Sequence, residues 1–319
     1  MPVTITAGIT FSGGGLTMAF APVATAGWFA GGSTGSAVQR ITFETDTATP
    51  TARGPLSGSF SAQGATGTFT YGWYAGGSPA SSTVNRITFA SDTNTASVRG
   101  PLSLGRRYVA ATGTDTYGWF GGGGTATAEE SSTVQRITYT TDTDTASVRG
   151  PLSYSSRNSG ATGTSEYGWF AGGFAPGPAR QVSSVNRITY VSDTNTASNR
   201  GSLSVDKRGM WAVTDSTTYG WFGGGYAPPY NPTSGVDRIT YATDTATASV
   251  RGPLTLARQL LSAACDSTNG WFGGGYLNGG LGPSSTVDRI TYATDTATAS
   301  LRGTLIAAAD SLAAAAGTQ

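Results

Sequence analysis

One sentence is spelled six times along this chain. Tyr219-Gly-Trp-Phe-Gly-Gly-Gly-Tyr226 and the segment Val236-Asp-Arg-Ile-Thr-Tyr-Ala-Thr-Asp-Thr-Ala-Thr-Ala-Ser-Val-Arg-Gly-Pro-Leu254 have counterparts at regular distances. The Gly-Trp pair begins at Gly27, Gly72, Gly118, Gly168, Gly220 and Gly270, so successive copies lie 45, 46, 50, 52 and 50 residues apart. A period of this size means that each copy is one supersecondary unit, which buries its apolar surface only by stacking on its neighbours. The 319 residues then fit one repeat array, although their length alone suggests two domains.

Each copy divides into four short strands. In the third copy, strand a is Val109-Ala-Ala-Thr-Gly-Thr114 and strand b is Tyr117-Gly-Trp-Phe-Gly-Gly-Gly123. Strand c is Thr133-Val-Gln-Arg-Ile-Thr-Tyr139, strand d is Thr145-Ala-Ser-Val-Arg149, and Gly-Pro-Leu follows. Alternation in strand c sets Val134, Arg136 and Thr138 on one face and Gln135, Ile137 and Tyr139 on the other. Gly-Gly ends strand b, and Thr-Asp-Thr predicts an Asx-type turn between c and d. No segment has the length or periodicity of a helix.

Six four-stranded antiparallel sheets of this kind pack radially, with Trp and Phe of strand b between them and the small residues of strand a on the wall of a central channel. The predicted fold is therefore all-β, a six-bladed propeller over residues 23–319. Asp310-Ser-Leu-Ala-Ala-Ala-Ala-Gly-Thr-Gln319 reads as a strand a with no strand b after it, and the first Gly-Trp unit has a poor strand a before it. The last strand is expected to complete the first blade and remove an open edge. Residues 1–22 stand outside the repeat: Val3–Phe11 alternates apolar and hydroxyl residues, Ser12-Gly-Gly-Gly15 breaks it, and Leu16–Phe20 returns. They suit either a strand pair packed on the nearest blade or an arm that docks on another subunit.

Composition excludes several functions. Net charge is +1 with no basic run, so the electrostatic footprint of nucleic-acid binding is missing. No stretch approaches the length of a membrane helix, and Met-Pro-Val-Thr-Ile-Thr lacks the pattern of a secretory signal. His is absent, so no Ser-His-Asp or Cys-His pairing can be built. The single Cys265, beside Ala263 and Ala264 in a strand a, reads as a small wall residue. Glu129-Glu130 reads as a solvated loop pair, and Asp-Thr-Asp-Thr at 142–145 lacks the ligand spacing of a calcium loop. The Gly-Gly-Gly runs lack the Lys and helix of a phosphate loop. A cofactor-free, metal-free protein without catalytic residues is expected.

A strand b ending in Gly-Gly, a strand c ending near Asp and a period of this length resemble the kelch repeat of β-propellers over about residues 23–319. Strand d departs from it, with Ala-Ser-Val-Arg-Gly-Pro-Leu where a kelch Trp is usual. The wording Gly-Trp-Phe-Gly-Gly-Gly-Tyr with Ser-Thr-Val-Asp-Arg-Ile-Thr-Tyr-Ala-Thr-Asp-Thr-Ala-Thr-Ala-Ser is similar to kelch-like repeats in tail, fibre and other particle-surface proteins of marine tailed phages, cyanophages among them. That resemblance implies a virion protein, made in the host cytoplasm without a signal peptide and released by lysis. Its partners would be other virion proteins, reached through residues 1–22, and a host surface glycan or protein; no membrane insertion is implied, and a homo-oligomer is open.

Three charged residues recur in every copy: Arg40, Arg86, Arg136, Arg187, Arg238 and Arg289 in strand c; Arg53, Arg99, Arg149, Arg200, Arg251 and Arg302 ending strand d; and Asp46, Asp92, Asp142, Asp193, Asp244 and Asp295. With Trp28, Trp73, Trp119, Trp169, Trp221 and Trp271 these read as scaffold, the guanidinium forks tying strand and loop carbonyls or the turn Asp. The copies differ instead in their b–c and d–a connections, which emerge at one end of a four-stranded meander. Binding residues favour loops on a rigid scaffold. The candidates there are Arg106, Arg107, Tyr108, Arg157, Phe174, Lys207, Arg208, Tyr226, Tyr230 and Tyr276, a mixture suited to stacking on sugar rings and bonding hydroxyl or acidic groups. The expected role is adhesion to a host glycan or protein, the rival a purely structural decoration or connector subunit.

Overall fold

The computed structural model describes residues 8–12, 15–19, 23–177 and 180–318. Six four-stranded antiparallel sheets form a six-bladed β-propeller. Blade III is the simplest example, with strand a Ala110–Gly113, b Tyr117–Gly121, c Val134–Thr138 and d Ser147–Arg149. Trp119 lies opposite Thr112 on one side and Arg136 on the other. Blades II, IV, V and VI repeat that register from strands a beginning at Gly64, Gly160, Trp211 and Ser262. In blade I the inner strand is Leu312–Gly317, paired antiparallel with Ala26–Gly31, so the first and last segments of the propeller share a sheet.

Outside the propeller sheets, Gly8–Ser12 pairs antiparallel with Gly15–Ala19. Residues 1–7, and with them the start of the expected first strand, lie outside the described residues.

The blades adhere through one recurring junction. Trp28 of blade I is fully buried, stacks on Phe89 of blade II with centroids 3.9 Å apart, and donates from Nε1 to Asp92 at 2.8 Å. Arg40 and Arg53 of blade I reach the same Asp92 Oδ2 at 3.0 and 3.1 Å. The set recurs at Asp142, Asp193, Asp244 and Asp295, each taken by the Trp and two Arg of the preceding blade. It closes with Trp271, Arg289 and Arg302 of blade VI on Asp46 of blade I.

Burying an indole of ~200 Å² at ~25 cal/mol per Å² contributes about 5 kcal/mol gross, which makes the Trp wedge a large apolar contribution to the junction. The carboxylate fixes its orientation. The aspartates were expected to cap their own turns; instead the c–d connection is a single 3-10 turn, such as Tyr139–Thr141, which presents Asp142 to the neighbouring blade. Strand d then hands over to the next blade through backbone, Gly100 N donating to Asp142 O at 2.8 Å. A Cβ on Gly100 would stand 2.1 Å from the Asp144 carbonyl, which is why glycine ends strand d.

A second closed circuit lies at the loop end of the channel. Ala62, Tyr108, Asn158, Gly209, Leu260 and Ser311, one per blade just before strand a, all have φ between 55° and 66°. Each backbone N–H donates to the carbonyl of the preceding member at 2.7–3.1 Å, and Ala62 N–H closes the circle on Ser311 O at 2.8 Å. Left-handed backbone costs a non-glycine residue about 1–2 kcal/mol; here a hydrogen bond at every position offsets it.

Beneath this circle sits a cavity of about 30 Å³, and below it runs a channel walled by strand a residues such as Ala65, Ala111, Ala161, Ala263 and Ala314. Trp211 lines both spaces and packs against the apolar cluster of blades I and II, across the channel from its own blade. The small-residue wall predicted from strand a thus has one exception. At the opposite, turn-bearing end the channel widens into a funnel of about 760 Å³ bordered by Asp115, Thr164, Ser165 and Thr217.

Candidate functional site: the loop face of blades III to V

The meander order sends the b–c and d–a connections of every blade to one face, as their spacing predicts. The connections are braced there by backbone. Arg107 and Gly124 exchange N–H···O bonds at 2.9 and 2.8 Å, Arg157 and Phe174 at 3.0 and 2.7 Å, and Arg208 and Tyr226 at 3.1 and 2.7 Å. Each d–a residue is thereby paired with the third residue after strand b of the blade that the connection leads into. Arg107, Arg157 and Arg208 occupy equivalent positions in three consecutive blades; Gln259, Asp310 and Ser61 hold them in the other three.

The side chains on this frame form a continuous arc. Glu129 accepts from Arg107 Nη2 at 2.6 Å and from Arg157 Nη1, while Glu130 lies 3.4 Å from Arg157 Nε. Glu130 is only 13% exposed and so is drawn into the arc, whereas Glu129 keeps 59% of its side chain in solvent, as expected of both. The Arg157 guanidinium stands 6.0 Å from the Tyr108 ring centroid and 4.8 Å from that of Phe174. Arg208 lies 5.1 Å from the Phe174 centroid and 4.9 Å from that of Tyr226. Arg180 completes the group at 5.7 Å from Phe174. A guanidinium over an aromatic ring is attracted by the negative face of the ring, and its N–H groups are the kind that bond a carboxylate or sulfate in pairs.

Further round the face, Tyr230 is 60% exposed. It sits at the tip of a ribbon formed by Tyr226–Ala227 and Asn231–Pro232. Asn278 Nδ2 donates to Asn231 Oδ1 at 2.8 Å, joining the loops of blades V and VI. Tyr276, 36% exposed, is held between Gln259 and Pro283. Of the ten residues expected on this face, Arg107, Tyr108, Arg157, Phe174, Arg208 and Tyr226 are thus gathered into one cluster, while Tyr230 and Tyr276 stand beside it.

Two of the ten do not belong. Arg106 is fully buried and its Nη1 caps the carbonyls of Gly122 and Thr133. Burial pushes its pKa down to about 10. Lys207 is 2% exposed and pairs at 2.6 Å with Asp237. Desolvation lowers the Lys207 pKa, and Asp237 offsets part of that. Both precede an outward-facing arginine by one residue, and alternation along an extended backbone turns them inward.

Arg258, absent from the expected set, plays the same part in blade VI, bonding Gly274 and Thr286 carbonyls and Asp288. A signal for this was present: the second position of strand c is Gln39, Asn85, Gln135 or Asn186 in blades I to IV but Asp237 and Asp288 in the last two, where a buried cation faces it. Arg180 was also missed, lying within the Pro- and Gly-rich loop of blade IV. Cys265 is half-buried on the channel wall, with its pKa raised chiefly by desolvation.

Compared with known proteins, the chain matches no protein-family model and no curated protein. In fold it is similar to the solved structure of YjhT, with a TM-score of 0.67 at 11% sequence identity over 80% of this chain and 87% of that one. That likeness concerns the fold alone, and at that level it agrees with the propeller expected from the repeat.

Proposed function

We propose that this protein is a non-enzymatic component of a phage particle surface, associated with the tail or its fibres, and that it attaches to a host surface glycan or protein through its loop face. The assignment to a particle rests on the resemblance of the repeat wording to virion proteins. The observation that carries the binding reading is the arginine–aromatic arc over blades III to V. It concentrates guanidinium and ring groups where the copies differ most, on loops braced by paired backbone.

A structural decoration or connector role is the second reading, favoured by the hairpin Gly8–Ser12/Gly15–Ala19, which pairs outside the six propeller sheets and offers a docking element for a neighbouring virion protein. Gold-labelled antibody against the chain, viewed on intact particles, separates the two. Label at the tail tip or fibres supports attachment. Label over the head supports decoration, and unlabelled particles refute both.

A further inference from the structure

We infer that Arg180 and Arg208, set about the Phe174 ring, form a site for the carboxylate or sulfate groups of an acidic polysaccharide. This deepens the attachment reading above and rests on it for the class of ligand. Three guanidinium groups converge on one ring, at 4.8, 5.7 and 5.1 Å from its centroid. Like charges gathered this closely repel unless something neutralises them. Glu129 and Glu130 do so for Arg157. Among the described residues no carboxylate lies within ion-pair distance of Arg180 or Arg208. The Arg208 Nε is buried without a hydrogen-bond partner. Its pKa is lowered, first by desolvation and further by Arg157, with Tyr226 acting the other way. The local deficit is thus one of negative charge.

The geometry is prepared before a ligand arrives. Arg157 and Arg208 spring from residues locked in reciprocal backbone bonds with Phe174 and Tyr226, which lowers the ordering cost of binding. The Arg180 and Arg208 guanidinium carbons lie 5.7 and 5.1 Å from the Phe174 centroid, and a guanidinium fork is the group that grips a planar carboxylate or a sulfate through two parallel bonds. A polymer with a phosphate at every step meets Glu129 next to the cluster and only two uncompensated cations. A polysaccharide carrying an acid group among neutral hydroxyls meets the exposed Tyr230 as well.

The test measures binding of the whole protein to immobilised dextran sulfate, polygalacturonate and uncharged dextran at low and moderate salt. The expected result is retention on one or both acidic polymers, weakening with salt, and none on dextran; sulfate-only or carboxylate-only retention identifies the group. Arg180→Ala, Arg208→Ala and the double variant should weaken binding by about tenfold or more. Arg208→Lys should recover only part, lacking the fork, and Glu129→Gln should strengthen binding by freeing Arg107 and Arg157. Should Arg208→Ala lower the melting temperature, exposed Arg180 carries the comparison alone. Equal retention on dextran, failure to bind either acidic polymer, or a double variant that binds like the parent overturns the inference. Adsorption to host cells separates it from the broader reading. A double variant that adsorbs as well as the parent refutes this site and leaves attachment standing. Acid-selective binding without adsorption supports the site and refutes attachment.

Discussion

The Trp271 indole of the last blade donates to Asp46 of the first at 2.7 Å, across 225 positions of sequence. The same bond joins every other pair of neighbours, so the ring has no distinct seam among its side-chain junctions. What distinguishes the closure is that Leu312–Gly317 also enters the first blade as its inner strand.

Replacing Asp142 by Ala should destabilise the protein by about 3 kcal/mol, because it strands the Trp73 Nε1 and the guanidinium groups of Arg86 and Arg99. Urea unfolding should show a lower midpoint with an unchanged slope. Trp73→Phe, which keeps an aromatic wedge and removes the donor, should cost less.

The buried pair in blade V gives a sharper contrast. Lys207→Ala should cost about 3–5 kcal/mol by leaving Asp237 charged in an apolar setting, whereas Lys207→Met with Asp237→Leu should recover most of it. A double-mutant cycle read by chemical denaturation checks both. Additive losses would show that the two charges are not coupled.

Stability should fall on acidification. Burial raises the Asp244 pKa, but the Arg200 and Trp169 bonds and the Arg187 charge outweigh it and hold the carboxyl below its usual range. A carboxyl depressed in the folded state stabilises the fold above its unfolded pKa, about 3.9, and that contribution is lost as pH drops through the folded value. The urea midpoint should therefore hold from pH 7 to about 5 and decline below about 4. Asp244→Asn should start lower and decline less steeply over the same range.

Trp211 should be the indole that solvent reaches. The six junction tryptophans are no more than 1% exposed, while Trp211 stands half-buried in the channel. Acrylamide should quench a minor fraction of the native emission, and Trp211→Phe should abolish that fraction. Persistence of the quenchable component in the variant would place the exposed indole elsewhere.

The period, the four strands per copy and the closing strand were legible because each depends on local pattern repeated in register. Partnership between blades was not. Asp92 looks in sequence like a cap for its own turn, and only radial packing brings Trp28, Arg40 and Arg53 of the preceding copy to it. The loop face was legible by its variability, yet Arg106-Arg107 and Lys207-Arg208 each hold one inward and one outward cation, which charge alone does not distinguish. The φ values of Ala62, Tyr108 and Leu260 had no signal, since none is a residue that favours left-handed backbone; the hydrogen-bonded circle imposes them from outside the local chain.

The pairing of Leu312–Gly317 with Ala26–Gly31 sets a timetable for biosynthesis. Strand Ala26–Gly31 leaves the ribosome before the other five blades, and its inner partner is translated only after them. Throughout that interval it presents an unpaired edge with Trp28 and Phe29 beside it, the kind of surface that chaperones cover and that seeds aggregation. The ring is therefore completed only when that edge has stayed available for Leu312–Gly317.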